Sequence, residues 1–486
     1  MDLSLLLAAG HVLLAGVFSF DVLLHKHRPV SAVLWLAAVW AFPYAGALLY
    51  LAFGVDRVQQ GGEERKASKA LVAERAAQRP LFEQLVVRFE TDPDDPLEKA
   101  AGHILRGTDP AVPANRVLRG NHVELLIDGD QFYPELIEAI ESSRRTVHLQ
   151  TYIFGRDALG RRVLNALEEK AGEGVAVRLL YDRFGSTYAH FGRFFERSKK
   201  AGVRVCAISQ ANPLKGRFQI NLRNHRKVAV IDGCVGFVGG INIARTNSTR
   251  YGGAAPIRDY HTKLFGPAVS DLQIQFLYDW YFASKEPLDR LLGPDCFPQI
   301  EPAGDALVQI VPGGPEVGGR GLADAFFAAI VAAERSVTIL TPYFVPDEPI
   351  VHALRYAAIR GVDVRLVVPK HNNHWYTGFA ARSLYTPLLH AGARVFERKP
   401  PFMHAKVLVV DDVYAMLGSA NLDYRSLHLN FETNIEVVEP EFVSRVREQI
   451  GNEILASEEV TWERHVARSM PRRLAENFCF LLQPLL

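Results

Sequence analysis

Two apolar runs, residues 3–24 and 30–53, open the chain on either side of a short polar stretch of His25, Lys26, His27, Arg28 and Pro29. Each run reaches the roughly 20 residues that a helix needs to cross about 30 Å of hydrocarbon, so the pattern predicts two spanning helices joined by a tight basic turn. Asp21 sits near the end of the first span, within reach of the interface, and His11 can be buried neutral. A cleaved signal peptide would place positive charge before its apolar stretch, whereas only Asp2 precedes this one and Lys26 and Arg28 follow it. A buried core hairpin is the other reading, but the residues that follow are too polar to cover one.

The pattern then changes twice. Residues 57–115 are charged and helix-favouring, then rich in Pro and Asp around 91–96, as in a juxtamembrane helix that runs into a linker. From residue 116, short β-rich runs alternate with amphipathic segments such as 161–171 and 350–360, which predicts an α/β layer architecture. That architecture is duplicated. Residues 147–154 correspond to 337–344 at an offset of 190, 174–180 to 361–367 at 187, and 201–205 to 391–395 at 190. The halves are therefore 116–300 and 301–460. The tail, 461–486, mixes Arg464, Arg468, Arg472 and Arg473 with Phe478, Phe480, Leu481 and Leu482. It fits an interfacial helix at anionic headgroups or a helix docked on the core.

Composition narrows the partners. With 486 residues, 48% of them hydrophobic, the chain can bury the cores of two or three domains. A net charge of +1 carries no bias toward polyanions and counts against a sequence-independent nucleic-acid binder. Cys206, Cys234, Cys296 and Cys479 are scattered without C-x-x-C spacing, which argues against a structural zinc site or a disulfide scaffold. After the second apolar run come Arg57, Arg65, Lys66 and Lys69, against Lys26 and Arg28 in the turn. This asymmetry favours a cytoplasmic location for everything downstream.

The chemistry lies in a pattern that occurs twice, 179 residues apart. His225, Lys227 and Asp232 form one H-x-K-x4-D motif, and His404, Lys406 and Asp411 form the other. Each is trailed by a small-residue pair and an asparagine, Gly239, Gly240 and Asn242 in the first copy and Gly418, Ser419 and Asn421 in the second. The β-branched residues after each lysine read as a strand, on which residues i and i+2 share a face, so each histidine points the same way as its lysine. Asp232 and Asp411 belong to the catalytic motif but have the opposite parity at the strand end, where a turn or structural hydrogen bond is the expected role. One histidine can attack an electrophile while a second protonates the leaving group. Lysines and asparagine amides beside them would stabilise a phosphoryl group without a metal. The first half carries 11 extra residues before its motif, including 212–217, as a substrate-facing loop or a plain surface excursion.

These residues resemble the phospholipase D superfamily, whose H-x-K-x4-D motifs come in pairs. R-N-H-R-K at 223–227, T-P-Y-F-V-P at 341–346, M-H-A-K at 403–406, G-S-A-N-L-D-Y-R-S at 418–426 and L-N-F-E at 429–432 look like the bacterial cardiolipin synthases of that superfamily. The resemblance covers essentially the whole chain. It implies an α/β fold of two duplicated phospholipase D-like sandwich halves forming one catalytic unit, behind a two-helix transmembrane hairpin at residues 1–56. It also implies a multi-pass protein of the bacterial inner membrane that needs no cofactor and uses phosphatidylglycerol as substrate. By similarity, His225 attacks the phosphate of one phosphatidylglycerol and His404 protonates the departing glycerol. His404 then takes the proton from the terminal hydroxyl of a second phosphatidylglycerol, and cardiolipin leaves.

In such enzymes a carboxylate from the opposite half orients each histidine, which pairs His225 with Glu432 and His404 with Asp259. Ile257 stands where similar enzymes often place Trp, a change of packing. Two other readings remain at this point. One is a phospholipase D or nuclease in which water replaces the second alcohol, and the other is a membrane-anchored binding protein with a degenerate site. Neither oligomeric state nor the second phospholipid is legible.

Overall fold

The computed structural model describes residues 3–26, 29–54, 57–77, 117–208, 211–212, 217–218, 222–252, 255–315 and 321–483. Two units emerge, Met1–Glu64 and Arg65–Leu486. In the first, the helix Leu3–His25 packs on the helix Pro29–Ala41, whose proline takes the first helical position, where a missing N–H costs nothing. Ala15, Val22, Val39 and Tyr50 form a small core, with the Phe18 and Trp35 rings edge-on to Tyr50 at 5.6 and 5.3 Å. Asp21 does not depend on the interface for a partner, because it accepts the Tyr50 hydroxyl at 2.6 Å. His11 bonds the Trp40 carbonyl at 3.2 Å.

One expectation is corrected here: residues 30–53 are not one continuous span. The helix stops at Ala41 because Pro43 cannot supply the next N–H. Tyr44 turns with a φ of +59°, and the chain resumes as the short helix Ala45–Leu49 and the π-turn Tyr50–Gly54. Gly46 permits this return, since a β-carbon there would lie 2.1 Å from the Ala38 carbonyl oxygen. Among the described residues, Leu3–His25 is the one helix long and apolar enough to cross a membrane. The helix Arg57–Ala77 follows. The linker expected at 91–96 lies outside the described residues, as does most of the 11-residue insertion.

The second unit contains the duplication. The first half orders its strands Arg204–Ile208, Ala176–Asp182, Thr146–Thr151, Val228–Ile231, Val235–Gly239, Tyr260–Phe265 and Val117–Ile127. The second half repeats that order with Arg394–Arg398, Asp363–Pro369, Ser336–Leu340, Val407–Val410, Tyr414–Gly418, Glu432–Val438 and Ala306–Gly313, and Ser457–Glu459 extends its edge. Val117–Ile127 and Ala306–Gly313 pair antiparallel, which joins the halves into one 15-stranded sheet.

Alternation within the motif strands shows how the layers form. Val228 and Val230 face a core shared with Val407 and Val409 of the other half, while Ala229 and Ile231 face the first half's own helices. In the second half Leu408 and Val410 likewise turn to that half's helices. Strands buried on both faces read as continuous apolar runs, as these do. The shared core is completed by Leu272 of the helix Ala268–Ser284 and Val446 of the helix Pro440–Leu455. The tail docks. Its helix Met470–Phe480 packs on the helix Trp375–His390, burying Cys479 and Glu476 and leaving Met470, Leu474 and Phe478 exposed.

Candidate active site

Both motif histidines precede their strands rather than lying within them. The ladder begins at Val228 and Val407, and the residues before it are extended but bonded to the opposite half. The His225 amide donates to the Phe431 carbonyl at 2.8 Å, and the Phe431 amide donates to the Arg223 carbonyl at 2.9 Å. Symmetrically, the His404 amide donates to the Arg258 carbonyl at 2.7 Å and the Arg258 amide to the Phe402 carbonyl at 2.9 Å. Each histidine is thus clamped beside the residue that precedes the other half's carboxylate.

The carboxylates meet the rings across that clamp. Glu432 Oε2 lies 3.0 Å from His225 Nδ1, and Asp259 Oδ2 lies 2.7 Å from His404 Nδ1. Both acids are fully buried. Burial would raise the Glu432 carboxyl, but His225, Lys227 and the Ser419 hydroxyl hold it below its ordinary range. Asp259 is held down against burial by Lys406 and His404. The small residues after each motif fit these acids. A β-carbon on Gly240 would lie 2.1 Å from Asp259 Oδ1, whereas Ser419 uses its hydroxyl to donate to Glu432 at 2.5 Å.

Lys227 and Lys406 each fold back so that Nζ donates to the carbonyl of their own histidine. Their burial lowers them, Lys227 to about 7 and Lys406 to about 8. The histidines differ. Lys406 Nζ lies 2.7 and 3.0 Å from the two ring nitrogens of His404, and burial together with that cation lowers His404 to about 4. His225 is lowered chiefly by burial, with Glu432 pulling the other way. Tyr152 stands edge-on to His225 at 4.9 Å and Tyr343 edge-on to His404 at 6.3 Å.

Both histidines open into a cavity of about 440 Å3, which Asn242 and Asn421 also line. Asn242 Oδ1 accepts the Ile153 amide at 3.0 Å, which leaves its amide nitrogen for a ligand. Asn421 instead donates its amide nitrogen to Ser426 at 3.3 Å, so Asn242 is the readier donor of the two.

Asp232 and Asp411 are not in this cavity, which corrects their inclusion among the catalytic groups. Asp232 accepts the amides of Arg144, Arg145 and Thr146 at 2.7–2.8 Å, and Asp411 those of Glu334, Arg335 and Ser336 at 2.6–2.7 Å. Each holds the start of a neighbouring strand from a left-handed position, φ +52°, that Asp tolerates better than most residues.

Sequence reasoning gave no role to the support behind His225. Asp279 accepts from Arg226 at 2.7 Å, from Asn224 at 2.8 Å, from Gln150 at 2.6 Å and from Arg65 at 3.1 Å. It anchors the residues on either side of His225 by their opposite face. Asp128 was missed as well: it accepts the Asp259 amide at 2.8 Å, and burial pushes its carboxyl up to about 6. Neither acid lies within a recognisable motif, so spacing gave no signal for them.

Paired histidine and lysine motifs, each completed by the other half of a duplicated α/β sheet, define the phospholipase D class. A family model described as "Cardiolipin synthase, PLD-like domain" matches residues 136–260 and 326–454, and one described as "Phospholipase_D-nuclease N-terminal" matches 13–54. The cardiolipin synthase of Geobacillus kaustophilus is 36% identical over 493 residues, covering 99% of this chain and 93% of that protein. Cardiolipin synthase A of Pseudomonas syringae is 35% identical over 481 residues, covering 98% and 97%. Among solved structures, a phosphatidylserine synthase from Haemophilus influenzae shares the fold, with a TM-score of 0.60 at 14% identity over 80% of this chain and 100% of that one. The chain belongs to the cardiolipin synthase family of the phospholipase D superfamily. It is a phosphatidyltransferase that acts on phospholipids, and its N-terminal apolar helix associates it with a membrane.

Proposed function

We propose that this enzyme makes cardiolipin and glycerol from two molecules of phosphatidylglycerol through a phosphohistidine at His225. The observation that carries the reading is the crossed pairing, in which each ring's Nδ1 faces a buried carboxylate of the other half. A proton on Nδ1 donated to that carboxylate leaves Nε2 as the nitrogen available for chemistry. His225 is the better nucleophile of the two. Each ring has a carboxylate at Nδ1, but the Lys406 cation presses against both nitrogens of His404, whereas Lys227 bonds the His225 carbonyl.

In the first step, the phosphodiester of one phosphatidylglycerol enters between the motifs and draws Lys406 off the His404 ring. Its negative charge raises His404, which takes up a proton. His225 Nε2 forms a bond to phosphorus as the bond to glycerol breaks, and the His404 proton goes to the glycerol oxygen. In the second step, the terminal hydroxyl of another phosphatidylglycerol attacks phosphorus, His404 accepts its proton, and the N–P bond breaks to release cardiolipin. Lys227, Lys406 and the Asn242 amide neutralise the phosphoryl oxygens in both steps, the electrostatic role that dominates many transfers of this kind. No step calls on a metal. A cavity of about 440 Å3 suits headgroups and leaves the acyl chains outside.

The N-terminal hairpin anchors the enzyme in the bacterial inner membrane, with the catalytic portion on the cytoplasmic face where the basic residues after it would lie. Purified enzyme in phosphatidylglycerol liposomes tests the reaction. Cardiolipin and free glycerol in equal amounts are expected, little changed by a chelator. Phosphatidic acid as the main product would support a hydrolase instead.

A further inference from the structure

The pseudo-symmetry that relates the two motifs fails at one place in the cavity wall. Arg223 stands two residues before His225, on the same face of the extended segment, and Arg425 stands four residues after Asn421. Both line the cavity that holds the histidines. At the matching positions of the other half, 179 residues away, the chain has Phe402 and Thr246. Histidines, lysines and asparagines come in pairs and suffice for one phosphate between them. The two arginines have no counterpart.

Both side chains bring positive charge to the cavity wall. The Arg223 guanidinium stacks over the Phe184 ring at 3.9 Å and reaches the Leu222 carbonyl at 3.5 Å, with no ion pair among the described residues. Burial lowers Arg425, Asp423 pulls it back up, and Arg223 adds to the lowering. Guanidinium is the group best matched to the oxygens of a phosphodiester.

The chemistry calls for a second such group. In the proposed reaction the acceptor is not a simple alcohol, because the glycerol that carries its attacking hydroxyl is esterified at the other end to a phosphate. We propose that Arg223 and Arg425 bind the phosphodiester of the acceptor phosphatidylglycerol and so deliver its terminal hydroxyl, in preference to water or a small alcohol, to phosphorylated His225. This subsite rests on the phosphohistidine reading above. The same chemistry could instead grip the donor phosphate, and the two cases separate in a partition experiment.

Full-length enzyme is given phosphatidylglycerol with ethanol present. The phosphatidyl-enzyme then divides between cardiolipin, phosphatidylethanol and phosphatidic acid, and the product ratio reports the second step alone. Arg223→Gln and Arg425→Gln should each lower the ratio of cardiolipin to the other two products by about tenfold or more, the worth of a charge-assisted hydrogen bond. Arg425→Lys, which keeps the charge, should give a ratio between those of the parent and Arg425→Gln, and it serves where glutamine unsettles the fold. Ratios unchanged in all three variants would overturn the subsite, since a grip on the donor phosphate slows every product alike. A parent enzyme that forms none of the three products would contradict the phosphatidyl-enzyme itself, and the subsite with it.

Discussion

At the residue scale, the two lysines set the pH range of the site. Burial strips water from both ammonium groups, so Lys227 titrates near 7 and Lys406 near 8, far below the usual 10.5. In the proposed mechanism the protonated forms neutralise the substrate phosphate, and each is lost as pH rises through its lowered pKa. Because kcat/KM reports groups of the free enzyme, and His404 has to gain a proton at any pH above about 4, its fall with rising pH should steepen from a break between about 7 and 8. Bound phosphate raises both lysines, which moves the break in kcat to higher pH. A kcat/KM that stays level from about pH 7 to 9.5 would contradict the role given to the lysines. Residue parity made part of this legible in the sequence. It placed Lys227 beside His225, and it set Asp232 and Asp411 apart from the substrate. The same parity applied to Arg223, two residues the other side of His225, but one half alone gives no reason to look there. The asymmetry appears when Arg223 is set against Phe402.

At the element scale, the tight approach of the residue pair after each motif to the carboxylate of its own half decides the geometry. Gly240 leaves no room for a side chain, since its β-carbon would lie 2.1 Å from Asp259 Oδ1. Gly240→Ser copies the residue of the second half into the first, and it should push Asp259 away from His404 and lower kcat by about 100-fold, the usual effect of a displacement near 1 Å. Ser419→Ala removes only a hydroxyl that donates to Glu432 and should lose about tenfold or less. Steady-state rates of the two variants, with melting curves to confirm folding, check this order, and an unimpaired Gly240→Ser would refute it. The G-G and G-S pairs were legible as matching positions, but their difference was not. In the first half Asp259 fills the space a side chain would need, whereas in the second the Glu432 carboxylate accepts the serine hydroxyl. Apolar length alone also overstated the second membrane segment, where Pro43 outweighs hydropathy. For the tail, amphipathic periodicity identified a helix but not its partner, because packing on Trp375–His390 depends on contacts nearly a hundred residues away.

At the scale of the whole molecule, duplication gives two half-sites, and the crossed clamps make them one. The repeat offsets predicted the halves and the order of their elements. They could not show that the sheets join through Val117–Ile127 and Ala306–Gly313, because that pairing has no equivalent within either half. With Glu432 behind His225 and Asp259 behind His404, neither half is complete alone. Such a site can divide its labour, His225 forming the covalent bond and His404 moving the proton. Phosphatidylglycerol labelled in its phosphate, mixed with the enzyme, quenched in alkali and digested, tests that division. The expected result is label on the peptide that contains His225, stable to alkali, released by acid and absent from His225→Gln. Label on the His404 peptide, or ordinary turnover with no labelled protein, would contradict it.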